Sequence, residues 1–164
     1  IFGHSGGGFM STAALLTYPD FYDVACSSAG NHDNNIYNKW WSETHNGVEA
    51  VYKKKKDDDG NEVEELTWNA KIKTNQSLAN NLKGHLLLTH GNIDNNVHPT
   101  NSLRLADELI KAGKRFDMMI FPGKRHGYGS FRSYYEKMMW YYFAEHLLGD
   151  YRNNVDIALP NSGK

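Results

Sequence analysis

Hydrophobic positions in the chain come in short blocks separated by glycine, proline or polar runs, and strand-like blocks alternate with helix-like ones. Ile1-Phe2 reads as the end of a strand entering a glycine turn. Phe9 to Tyr18 (FMSTAALLTY) has helix-compatible composition and an apolar face, and Pro19-Asp20 stops it. Asp23 to Ala29 (DVACSSA) is short, apolar and followed by Gly30-Asn31, which predicts a buried strand. Asn34 to Glu43 is aromatic and irregular and predicts a short helix, and Ser77 to Leu82 predicts a helical turn. His85 to His90 (HLLLTH), ending at Gly91, has the pattern of a central strand. Thr100 to Ala112 predicts an amphipathic helix with Leu103, Ala106, Leu109 and Ile110 on its apolar face and Gly113 as its stop. Phe116 to Phe121 predicts a strand closed by Pro122-Gly123, and Ser130 to Leu148 a long aromatic-rich helix ended by Gly149. The polar tail from Asp150 is expected to fray.

This order implies α/β architecture, a parallel sheet with flanking helices. Three complete strands and a stub make a thin sheet, with an edge and an apolar face left exposed. One stretch breaks the alternation. Lys53 to Glu65 is charge-dense, and Asp59-Gly60 can turn a hairpin between extended arms. It reads as a solvated insertion, at about residues 48–66, in a domain of residues 1–149 followed by a tail of residues 150–164.

Composition adds exclusions. A net charge of −1 over 164 residues gives no argument for nucleic acid or an anionic membrane as partner. No apolar run reaches the roughly 20 residues needed to cross a bilayer. The single cysteine, Cys26, allows no internal disulfide and decides no compartment. The chain opens Ile1-Phe2-Gly3-His4-Ser5, without an initiator Met, and is expected to be the C-terminal part of a longer protein.

The chemistry starts at Gly3-His4-Ser5-Gly6-Gly7, which matches Gly-x-Ser-x-Gly. That pattern suits a sharp strand-to-helix turn that lifts a serine hydroxyl clear of the backbone, with the N–H of Gly6 placed to stabilise an oxyanion. No Gly-Lys-Ser/Thr follows, so a phosphate-binding loop is not indicated. A serine nucleophile needs a base, and the base an orienting carboxylate. Asp94 lies just past the strand ending near Gly91, and His126 just past the strand ending at Phe121. The order Ser5, Asp94, His126 is the one this architecture uses, with each residue past a strand's C-terminal end. Taken singly, Asp94 could be a turn former and His126 a loop histidine. His85, His90 and His98 bracket one strand, but no Cys-x-x-Cys or His-Glu-x-x-His spacing accompanies them, so neither metal nor cofactor is expected. His98 is expected to buttress the acid loop, and Cys26 to be a buried thiol.

The segments GHSGGGFM (3–10), LLLTHGNIDNNVHPTNS (86–102) and FPGKRHGYG (121–129) resemble the prolyl oligopeptidase family of serine peptidases, most of all its dipeptidyl peptidase IV branch. The resemblance covers nearly the whole chain and is weakest over 47–75. It implies the C-terminal part of an α/β-hydrolase domain truncated at the nucleophile elbow. It also implies cleavage of peptide substrates after proline-like residues, with Ser5 as nucleophile, Asp94 as acid and His126 as base. By the same resemblance Asn96 holds the substrate carbonyl, Tyr37 and Trp41 wall the pocket for the cleaved residue, and Val97 lines it. A spacing of four would place both rings on one helical face, although aromatic pairs at this spacing are also common in ordinary cores. Trp41 departs from the tyrosine usual at its place, which puts the pocket's preference in question. His4 and Gly6 depart from the aromatic residues that many relatives carry beside the nucleophile. A second oxyanion donor, a gating β-propeller and paired glutamates for the substrate's amino terminus are implied to lie upstream, so the chain alone is expected to be inactive. The resemblance favours a periplasmic or extracellular location. It also favours a homo-oligomer, for which Tyr134, Tyr135, Trp140, Tyr141, Tyr142 and Phe143 would suit an interface. Two other readings remain: an esterase or acylaminoacyl peptidase on the same triad, and a non-catalytic, self-associating fragment.

Overall fold

The computed structural model describes residues 1–69, 72–152 and 155–157. Its elements run β1 (Phe2–His4), α1 (Gly6–Thr17), β2 (Val24–Ser28), α2 (Lys39–Asn46), β3 (Glu49–Lys56), β4 (Glu62–Asn69), β5 (His85–Gly91), α3 (Thr100–Lys111), β6 (Asp117–Phe121) and α4 (Arg132–Leu148), with short 3-10 turns at Asn75–Asn81 and Gly129–Phe131. They divide into two compact units, residues 33–74 and the remainder.

In the larger unit four strands pair in the order β1-β2-β5-β6, all parallel. Side chains leave the sheet with a period of two, so each strand supplies both faces. Ala25, Leu86 and Leu88 join Leu15 and Leu16 of α1 and Leu105 and Leu109 of α3 on one face. Val24, Cys26 and Leu87 join Phe121, Tyr128 and Tyr135, Met139 and Tyr142 of α4 on the other. Burial pushes the thiol of Cys26 up to about 12. β1 lies at the edge of the sheet, where Phe2 is 63% exposed and meets Phe143 edge to face.

Three expectations are corrected. α1 begins at Gly6, directly after Ser5, rather than at Phe9. Glycine propensity argues against a helix here, but close packing overrides it: a Cβ on Gly8 would press into the Ser28 carbonyl and Gly30. The inner stripe of α3 is Ser102, Leu105, Ala106 and Leu109, while Leu103 is 51% and Ile110 66% exposed. Ser102 lies inside with them, where its hydroxyl bonds buried His90. The aromatics of α4 do not form an open surface. Tyr135 and Tyr142 are core, Tyr134 and Phe143 pack against that core, and Trp140 alone of the six is largely exposed, at 60%.

The smaller unit holds α2 and an antiparallel hairpin of β3 and β4, whose register sets Lys53 to Lys56 against Glu65 to Glu62. Its turn is five residues long. The Asp57 carboxylate accepts from the N–H of Asp59 and Asn61, and Gly60 takes φ +84°. The hairpin is longer than the charged stretch that predicts it. Tyr37 precedes α2 instead of lying on it, and Asn38 caps the helix by accepting from the Trp41 N–H. The expected fraying of the tail falls largely on residues 153–154 and 158–164, outside the described residues. Among those described, no helix is long and apolar enough to cross a membrane.

Candidate active site

Ser5 joins β1 to α1 with φ 60° and ψ −123°, a strained conformation for a residue with a side chain. The turn is anchored by the Ser5 N–H, which donates to the Ser28 carbonyl at 2.8 Å. Gly6 opens α1, so its N–H is among the first-turn donors that a helix leaves to other partners.

Asp94 follows β5, and its carboxylate is fully buried. Oδ1 accepts the backbone N–H groups of Asn96 (2.9 Å) and Val97 (3.1 Å), which curls the loop around the acid. Oδ2 faces two imidazoles: Nδ1 of His126 at 2.7 Å and Nε2 of His90 at 3.3 Å. A buried carboxylate needs such partners, because desolvation without them costs several kcal/mol.

The tautomer of His90 follows from its neighbours. Nε2 lies 2.8 Å from the Val97 carbonyl and near Asp94, both acceptors, so the proton sits there. Nδ1 then accepts from the Ser102 hydroxyl at 2.8 Å. Burial holds His90 below the usual histidine range, so it serves Asp94 as a neutral donor.

His126 follows β6, with 22% of its side chain exposed. Its Nδ1–H donates to Asp94, which leaves Nε2 as the nitrogen that can exchange protons with a substrate group. The loops of Asp94 and His126 are laced together. Ile93 N–H donates to the Lys124 carbonyl at 3.2 Å and Gly123 N–H to the Asn92 side chain at 2.6 Å. Gly91 allows that approach, since a Cβ there would overlap the Lys124 and Arg125 carbonyls.

The other sequence-derived positions fall as follows. Asn96 is exposed beside Asp94. Val97 is fully buried, and its backbone serves both Asp94 and His90. Tyr37 and Trp41 lie in the smaller unit, where their rings meet edge to face at 5.7 Å. His98 is exposed and bonds Thr100 at the start of α3, so it is His90 that supports the acid. His90 and Ser102 lie inside the segment 86–102 that carries the family resemblance, but no spacing rule assigns them a role. Their one signal is a polar residue where the strand and helix patterns demand an apolar one. Among the described residues no group of three or more His, Cys, Asp or Glu could hold a metal ion.

The chain is similar to dipeptidyl peptidase family member 1 of Caenorhabditis elegans, 30% identical over 146 residues that make up 88% of this chain and 16% of that protein. It is 29% identical over 149 residues to dipeptidyl peptidase 8 of Homo sapiens, covering 90% of this chain and 15% of the other. Among solved structures, Porphyromonas gingivalis dipeptidyl peptidase 4 superposes with a TM-score of 0.65 at 23% identity, over 92% of this chain and 19% of that one. The chain thus spans about a sixth of the length of the curated relatives it matches, and its parallel sheet with flanking helices is that of an α/β-hydrolase catalytic domain. Residues 1–150 match the model of the prolyl oligopeptidase family, peptidase family S9, and the chain belongs to that family.

Proposed function

We propose that this chain is the C-terminal part of the catalytic domain of a longer serine peptidase of the dipeptidyl peptidase IV type, with Ser5, Asp94 and His126 as its triad. The observation that carries the reading is the 2.7 Å bond from His126 Nδ1 to a carboxylate already held by two backbone N–H groups. The strained turn at Ser5, between β1 and α1, supports it.

In this mechanism the Ser5 hydroxyl attacks the scissile carbonyl while Nε2 of His126 takes its proton. Asp94 fixes the tautomer and stabilises the imidazolium. The Gly6 N–H donates to the oxyanion. His126 then protonates the leaving amine, and water repeats the sequence on the acyl-enzyme, releasing the acid and restoring Ser5. Asn96 is proposed to hold a substrate carbonyl, and Val97, Tyr37 and Trp41 to shape recognition of a proline-like residue. Their roles rest on the family resemblance. Residues 1–149 are proposed as the domain portion, with the hairpin as an insertion. The chain by itself is proposed to be inactive, because the second oxyanion donor would come from the rest of the protein; losing one such donor costs about 10²–10³ in rate.

The test is fluorophosphonate labelling and Gly-Pro chromogenic hydrolysis by the full-length protein. The expected result is labelling at Ser5 and turnover, both abolished in Ser5→Ala. Turnover retained by Ser5→Ala would sink the assignment, and labelling with hydrolysis of esters alone would favour an esterase.

A further inference from the structure

The face of the sheet covered by α4 is apolar along Val24, Cys26 and Leu87 but turns polar at its C-terminal end. There His4 of β1, Ser28 of β2 and Thr89 of β5 are register partners on adjacent strands, forming one rung across three strands. Tyr128, fully buried two residues after His126 and strained at φ +63°, brings its hydroxyl onto this rung.

The bonds form a directed chain. Ser28 O–H donates to the Tyr128 oxygen at 2.7 Å, so the Ser28 oxygen accepts from His4 Nδ1–H at 2.8 Å. The Tyr128 hydroxyl in turn shares a hydrogen bond of 2.9 Å with Thr89 Oγ1. These bonds fix the tautomer of His4 and the plane of its ring. That ring lies against His126, with centroids 4.6 Å apart and planes tilted by 53°.

Resting on the serine-peptidase reading above, we propose that His4 is a positioning residue for His126. Its ring is the wall that holds the base at the angle set by Asp94, and the Ser28–Tyr128–Thr89 hydroxyl chain holds the wall. A single hydrogen bond at Nδ1 leaves an imidazole free to rock about that bond, and a packed face removes the rocking. Loss of near-attack geometry by small displacements is costly in enzymes. The polar rung itself makes physical sense in this role, since every group in it is paired and a buried network is stable only when paired.

His4 suits the task electrically. Burial first, then coupling to the His126 imidazole and the guanidinium charge of Arg132, push it down to about 4 against the opposing pull of Asp94. It is therefore neutral at working pH and sets no like charge against the imidazolium formed during catalysis.

The test uses full-length protein carrying His4→Ala, His4→Phe or Ser28→Ala. His4→Ala is expected to lower kcat and the fluorophosphonate labelling rate about tenfold while KM stays within about twofold, because positioning acts on the reacting state rather than on substrate binding. His4→Phe restores the bulk of the wall without its bond to Ser28, and its kcat is expected to lie between that of His4→Ala and that of the parent. Unchanged kcat in His4→Ala, or His4→Phe no better than His4→Ala, overturns the proposal. Should His4→Ala fail to fold, Ser28→Ala decides: a slower kcat at unchanged KM supports the anchored wall, and an unchanged kcat overturns it. A readout independent of turnover is the Nδ1 proton of His126 by NMR with isotope-labelled histidine. It is expected to be sharp in the parent and exchange-broadened in His4→Ala and Ser28→Ala; identical signals overturn the positioning role. If Ser5 in the parent never labels, the peptidase reading falls, and the NMR comparison still decides whether His4 orders His126.

Discussion

The four-stranded sheet and the β3–β4 hairpin are both ladders of backbone hydrogen bonds, yet they differ in nearly everything else. β2 is buried at all five positions, whereas β3 has one partly buried residue in eight. The sheet orders its residues by burial from both faces, so every side chain has a fixed neighbour. The hairpin orders its residues by register and opposed charge, with Lys54–Glu62 at 3.5 Å and Lys55–Glu65 at 3.1 Å in water. Ion pairs so exposed contribute about 0–1 kcal/mol each. Chemistry that needs groups held to a fraction of an ångström belongs on the first kind of ladder, and Ser5, Asp94 and His126 all follow its strands.

That contrast can be broken from either side. The largest effect is expected at the carboxylate. Asp94→Asn keeps the shape but loses the charge and the tautomer control, and kcat of the full-length protein should fall by about 10⁴-fold; a fall below about tenfold would detach Asp94 from the chemistry. Next is Leu88→Ala, at a fully buried position between α1 and α3, expected to cost about 3 kcal/mol in denaturant unfolding.

A third effect is acid sensitivity confined to the sheet unit. His32 is fully buried, accepts from the Asn75 side chain at 3.0 Å, and is pushed down to about 3 by burial first and His90 second. Between about pH 6.5 and pH 3 the unfolded chain binds this proton and the folded chain does not. Stability is therefore complete above that window and falls as the pH drops through it. Comparing unfolding at about pH 7.5 and pH 5 should show a loss of about 2 kcal/mol from this residue, absent in a His32→Asn variant. The smallest effect is expected in the hairpin, where Lys55→Ala should change stability by about 0.3 kcal/mol. A change above about 1 kcal/mol would mean that the hairpin is held by more than its own register.

What the sequence shows of this arrangement follows the same division. The run HLLLTH and the strand ends at Gly91 and Phe121 place Asp94 and His126 correctly in loops, because buried parallel strands write themselves as apolar runs. The stripe of α3 is misread, since Ser102 bonds a histidine on a neighbouring strand and no helical period records that partner. The start of α1 is hidden by three glycines, of which Gly8 owes its place to the closeness of Ser28 and Gly30. The same holds for the candidate site. A motif takes in Ser5 and His4, but the partners that hold the site, Ser28 and Tyr128 for His4 and Ser102 for His90, are reached only by pairings between elements, with sequence separations of up to 100 residues.

Cys26 offers one more use of the sheet. It is the only cysteine among these 164 residues, it sits in mid-strand with no exposed surface, and burial pushes its thiol up to about 12. Thiol reagents attack the thiolate, so alkylation of this sulfur has to wait until β2 is stripped of its cover. Its modification rate is a stopwatch for excursions of the sheet away from the folded state, and it runs on a different clock from any reagent aimed at Ser5.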